Sequence, residues 1–133
     1  MTFEDSIEIG RPPEVVWTFV RDLERAPEWQ ESLVSVDVAA GTEVRQFAGR
    51  RATGTFVIVE DDPPRRLVIT SEGGPAYARA TFELRPETDG TRVELTLDVD
   101  LRGAARFAGG LVKGAAQRET RANLERLKQL VES

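Results

Sequence analysis

The sequence has no cysteine and no histidine. Without cysteine there are no disulfides, thiolate nucleophiles or thiolate metal sites, whatever the redox compartment. Without histidine there is no imidazole acid–base chemistry near neutral pH. The two absences together exclude Ser-His-Asp and Cys-His catalysis and zinc sites of the usual kinds. No motif implies a cofactor. No stretch approaches the ~20 consecutive apolar residues that a membrane-spanning helix needs. Glu4 and Asp5 also break the basic-then-apolar order of a secretory signal. The expectation is a cytoplasmic protein without integral membrane association.

Charge of both signs is plentiful, 18 basic against 23 acidic residues, for a net charge of −5. That sign repels polyphosphate, and the basic residues are scattered among acidic ones, so nucleic acid is not an expected partner. A composition of 40% hydrophobic and 31% charged residues is that of ordinary soluble globular proteins. Domains commonly run to ~100–150 residues, so residues 1–133 are expected to form a single domain with one core.

Phe3, Ile7 and Ile9 fall on alternate positions, the period of a half-buried strand. Gly10 breaks it, and Pro12 and Pro13 suit the first turn of a helix carrying Val15, Val16, Phe19, Val20 and Leu23 at three- and four-residue spacing. A second helical turn is predicted from Glu24 to Trp29, around Pro27. Val34, Val36 and Val38 then alternate on one face, and Gly41 turns the chain into a strand from Glu43. Phe56 to Val59 is apolar on both faces, Asp61-Asp62-Pro63-Pro64 is a turn cluster, and Leu67 to Ile69 resumes strand character. After Gly73-Gly74-Pro75, the residues Ala78, Ala80, Phe82 and Leu84 share a face. Asp89-Gly90 suits a tight hairpin before the alternation of Val93, Leu95, Leu97, Val99 and Leu101. From Gly103 the pattern is helical to the end, with Leu124, Leu127, Leu130 and Val131 in one stripe. About seven strands, two short helices and one long helix imply an α+β fold, an antiparallel sheet with its helix on one face.

Several short strings resemble a known family. Pro13-Glu14-Val15-Val16-Trp17, then Asp22 and Pro27-Glu28-Trp29, resemble the start of the polyketide cyclase/dehydrase family in the START-related (SRPBCC) superfamily. Asp62-Pro63-Pro64-Arg65-Arg66-Leu67, Gly90-Thr91-Arg92-Val93, and Asn123-Leu124 with Leu127-Lys128 extend the likeness over essentially the whole chain. The strings also have structural readings, Trp17 as core and the Pro and Gly strings as turns. The resemblance implies a helix-grip fold, in which a curved antiparallel sheet wraps the C-terminal helix. It does not name an activity, because that fold serves lipid, quinone, hormone and polyketide binding as well as cyclisation.

The last helix is uneven. Between Gly103 and Ala116 it carries Ala104, Ala105, Ala108, Gly109, Gly110, Gly114, Ala115 and Ala116, side chains too small to fill the concavity of a curved sheet at native packing density. The residues alone leave two readings open: a ligand pocket, or a loosened helix start lying close on the sheet. The resemblance implies an interior cavity. Its expected lining is Trp29, Val34, Val36, Phe82, Leu97, Phe107, Leu111 and Ala115, with Trp29 at a wet rim and Phe107 and Leu111 paired at i and i+4.

Catalytic candidates are sparse. Tyr77 and Arg79 fall on the face opposite Ala78, Ala80 and Phe82. Glu94, Asp98 and Asp100 read as a solvated outer face. Asp5 shares parity with Phe3 and Ile7, yet carboxylates near a chain end are usually solvated. Arg118 and Glu119 are within reach of a pocket interior, but a polar helix flank explains them more simply. No pair has the spacing that acid–base catalysis needs. The expected function is binding of a small hydrophobic or aromatic molecule. The alternatives are a polyketide cyclase or dehydratase acting by templated positioning, and a protein-interaction adaptor using the outer face of the sheet.

Overall fold

Alternating apolar residues separated by short turns build one antiparallel sheet, and the C-terminal helix packs across its concave face. The computed structural model describes residues 1–74 and 76–133, with residues 104, 105 and 108 described by backbone alone. Pro75 of the expected turn, and the side chains of Ala104, Ala105 and Ala108, thus lie outside the described residues.

Strand β1 spans Thr2–Ile9, helix α1 Pro13–Val20, and a 3-10 helix Leu23–Glu28. Strands β2 (Leu33–Asp37), β3 (Thr42–Phe47), β4 (Arg50–Asp62), β5 (Arg66–Gly73), β6 (Ala76–Glu87) and β7 (Gly90–Leu101) follow. A second 3-10 helix, Gly103–Ala108, leads into α2, Gly109–Glu132. The sheet order is β1-β7-β6-β5-β4-β3-β2, every neighbour antiparallel. Hairpins connect β2 through β7 in sequence. Only β1 pairs at long range, Thr2 opposite Asp98 and Ile9 opposite Thr91. This is the helix-grip architecture that the resemblance implies. No helix among the described residues is long and apolar enough to cross a membrane.

The core lies at one end of the concave face. Leu124, Leu127 and Val131 of α2 meet Ile7, Ile9, Leu67, Leu84 and Val93 from the sheet and Val16, Trp17 and Val20 from α1. Fully burying a leucine contributes about 1.5–3 kcal/mol, and both Leu124 and Leu127 are fully buried. Polar ties fix the helix on the sheet. Arg121 donates from Nη1 to Asp5 Oδ1 at 3.1 Å and to Ser6 O at 2.8 Å. Glu132 Oε2 accepts from the Gly10 backbone N–H at 2.7 Å.

The local readings need three corrections. Val15 is exposed, whereas Val16, Val20 and Trp17, the last read as core, lie on the buried side of α1. In β2 the register slips between Leu33 and Ser35, so Val34 is the extra residue of a bulge. Leu33 and Val36 then pack on the core, while Val38 is exposed. A bulge inserts one residue and shifts the alternation that follows. The third correction is that the C-terminal segment is not one helix from Gly103: a 3-10 helix runs to Ala108 before α2 begins.

Candidate ligand cavity

The inward side of α2 is a single stripe. Reading back from Val131, the three- and four-residue steps reach Leu127, Leu124, Thr120, Ala116 and Val112. Val131, Leu127 and Leu124 fill the core, whereas Thr120, Ala116 and Val112 carry small or short side chains and line the cavity. The sheet facing that second half is equally slight, with Ala52 and Gly54 on β4, Gly73 on β5 and Ala76, Ala78 and Ala80 on β6. With small residues on both sides, native packing density cannot be reached. A cavity of about 330 Å³ remains, within the ~300–1,000 Å³ usual for ligand sites. Phe3, Ile69, Leu95, Leu97, Val99 and Leu101 supply apolar walls.

One end of the cavity is polar. On β3 the inward positions are Glu43, Arg45 and Phe47, all three lining the cavity. Glu43 is only 6% exposed, and its Oε2 lies 3.1 Å from Arg45 Nη2. A buried carboxylate needs such a partner, since an isolated charge is costly to remove from water. Arg45 Nη1 also reaches Ser32 Oγ at 3.4 Å. Gln30, Ser71, Glu119, Thr120 and Asn123 complete the polar lining.

Trp29 joins this site to the core. Its ring meets Phe82 edge-on, with centroids 6.1 Å apart. Arg126 holds the segment against α2, donating from Nη1 to Trp29 O at 3.1 Å and to Asn123 Oδ1 at 2.9 Å. Asn123 Oδ1 accepts from the Glu31 backbone N–H at 3.0 Å as well. The indole is 3% exposed, so it belongs to the interior and not to a wet rim. Its Nε1–H is enclosed by protein with no acceptor among the described residues.

Of the eight residues expected to line a pocket, the structure brings Trp29, Phe82 and Leu97 to the cavity. The other five lie elsewhere. Val34 is taken up by the bulge, and Val36 packs on the core. Phe107 and Leu111 are each 82% exposed. Phe107 stands in a 3-10 helix of about three residues per turn, so the i, i+4 rule does not carry across to Leu111. Ala115 is exposed beside Ala116, and the cavity takes Val112 and Ala116, each one position after the expected Leu111 and Ala115.

Glu119 lines the cavity, whereas Arg118 is an exposed flank. Tyr77 and Arg79 alternate with the cavity-lining Ala76, Ala78 and Ala80 and so occupy the other face. Asp5 is partly buried and ion-paired with Arg121. The sequence reading missed Glu43, Arg45, Thr120 and Asn123. Continuing the Val131, Leu127, Leu124 stripe four residues at a time finds Thr120, Ala116 and Val112. Nothing in hydropathy finds Glu43 and Arg45, because the apolar Val44 between them faces outward.

No curated protein matches the sequence. Among solved structures, Zhui aromatase/cyclase from Streptomyces sp. R1128 superposes with a TM-score of 0.82 at 16% identity, over 99% of this chain and 93% of that one. A START superfamily protein from Mycobacterium smegmatis gives a TM-score of 0.81 at 17% identity, over 98% and 97%. A protein from Thermus thermophilus is 26% identical with a TM-score of 0.72, over 99% and 94%. These likenesses agree with the helix-grip topology. The family model described as polyketide cyclase/dehydrase and lipid transport matches residues 1–132, and the chain belongs to that family.

Proposed function

We propose that the protein binds one small, largely apolar molecule in the cavity between α2 and the concave face of the sheet. The observation that carries this reading is the 330 Å³ space with small side chains on both walls. Each Å² of apolar ligand surface removed from water contributes roughly 25 cal/mol, and the few polar groups at one end orient the ligand. A lipid-like, quinone-like or polyketide-like molecule fits the walls and accords with the family's description. The test is titration with an uncharged apolar fluorescent dye, followed by displacement with long-chain alcohols, isoprenoid quinones and aromatic polyketides. Saturable binding that one class reverses supports the reading. A folded protein with no saturable site overturns it.

A second reading, turnover of a polyketide-like chain, is favoured by Glu43, a buried carboxylate on the cavity wall. Cyclisation needs a group that takes a proton from a carbon between carbonyls, and a desolvated carboxylate can serve. Product from a poly-β-ketone in the native protein and none from Glu43→Gln supports this reading. Equal product from both, or none from either, leaves binding alone.

A further inference from the structure

The polar end of the cavity says which ligands it accepts, given that the cavity is a ligand site at all. A carboxylate offers about four lone-pair sites. Among the described residues, Arg45 is the one side chain placed against that of Glu43, through one nitrogen and one oxygen. Arg45 is in turn the only guanidinium among the described lining side chains, and it is already matched to Glu43. Glu119 adds a second carboxylate to the same lining. An arriving carboxylate therefore meets the like charge of Glu43 and a counterion that is already engaged, in a lining that holds a second carboxylate. Beside Glu43, which is only 6% exposed, that repulsion is less screened than in bulk water. An ether or ester can accept from Arg45 but offers no proton to the lone pairs of Glu43 that Arg45 does not reach. A hydroxyl does both, donating its proton to Glu43 and accepting from Arg45.

We propose that the cavity selects uncharged apolar molecules ending in an alcohol or phenol, seated on the Glu43–Arg45 pair, and rejects fatty acids. The test uses three probes sharing one ten-carbon chain: 1-decanol, decyl methyl ether and decanoate. Each is titrated into the wild-type protein by calorimetry at low ionic strength. Decanol is expected to bind about tenfold tighter than the ether, the usual worth of a hydrogen bond to a charged group, and decanoate weakest of the three. In Glu43→Gln, checked for folding by circular dichroism, the order of decanol and decanoate is expected to reverse, since Arg45 is then free to pair with the acid. Decanoate binding the wild type as tightly as decanol, or the ether matching decanol, overturns the selectivity while leaving the cavity a ligand site. Binding of none of the three overturns the cavity reading and the selectivity with it. The wild-type series decides even if the variant does not fold.

Discussion

Gly54 and Gly73 approach each other across β4 and β5 too closely for any side chain. A Cβ built on Gly54 would sit 2.6 Å from Glu72 O, and one on Gly73 would sit 2.6 Å from Gly54 Cα. Both residues line the cavity. Their bare backbones thus keep its wall thin and let the two strands stay in register.

The contrasting glycine is Gly114 in α2, where a Cβ meets nothing nearer than Arg118 Nη1 at 3.6 Å. Gly73→Ala is expected to destabilise by about 1–3 kcal/mol through overpacking against backbone. Gly114→Ala is expected to stabilise by up to about 1 kcal/mol through helix propensity. Urea midpoints of the two variants should move in opposite directions.

The phase of α2 predicts which tryptophan substitution closes the cavity. Ala116→Trp puts an indole where the stripe faces the sheet, and saturable dye binding should be lost with the fold retained. Leu111→Trp lies on the exposed side, and its dissociation constant should stay within about twofold of wild type. Equal losses in both would place the binding site elsewhere.

The same helix should divide sharply by position in stability. Leu124→Ala removes a fully buried side chain and is expected to cost about 2–5 kcal/mol. Leu111→Ala is expected to stay within about 0.5 kcal/mol of wild type. Chemical denaturation with unchanged m-values checks both.

One acid response follows from the end of α2. The Gly10 backbone N–H and then Lys128 hold the Glu132 carboxyl below its ordinary value of 4.5. The folded state therefore binds that proton less readily than the unfolded chain. The stabilisation is present above 4.5 and is lost as pH falls through the lowered value. Glu132→Gln should lower the melting temperature near neutral pH, and the gap from wild type should narrow as pH falls below 4.5. A gap that stays constant would mean that this carboxylate is not the group responsible.

The sheet and the helix were legible because their periods are clean. Val93, Leu95, Leu97, Val99 and Leu101 alternate without a break, and Asp89-Gly90 marks the hairpin before them. The cavity was legible only as one of two readings of the small residues before Ala116, the one that the resemblance implied, and of those residues Ala116 lines it. Its lining was not, for two physical reasons. A bulge at Val34 changes which valines face inward, and bulges leave no hydropathy signal. On β3 the pattern is inverted, with Glu43 and Arg45 facing inward and Val44 outward. A charged pair that satisfies itself across one residue permits this, and alternation alone assigns it to solvent.

The pairing of β1 with β7 sets the order in which the protein can be completed. Residues 2–9 find their partners only at residues 91–98, and α2 must then close over β1. The hairpins from β2 to β7 can form from neighbouring sequence as it leaves the ribosome, but β1 has to wait. Closing so long a loop is slow compared with zipping a hairpin. During synthesis β1 thus stays half-apolar and unpaired until β7 emerges.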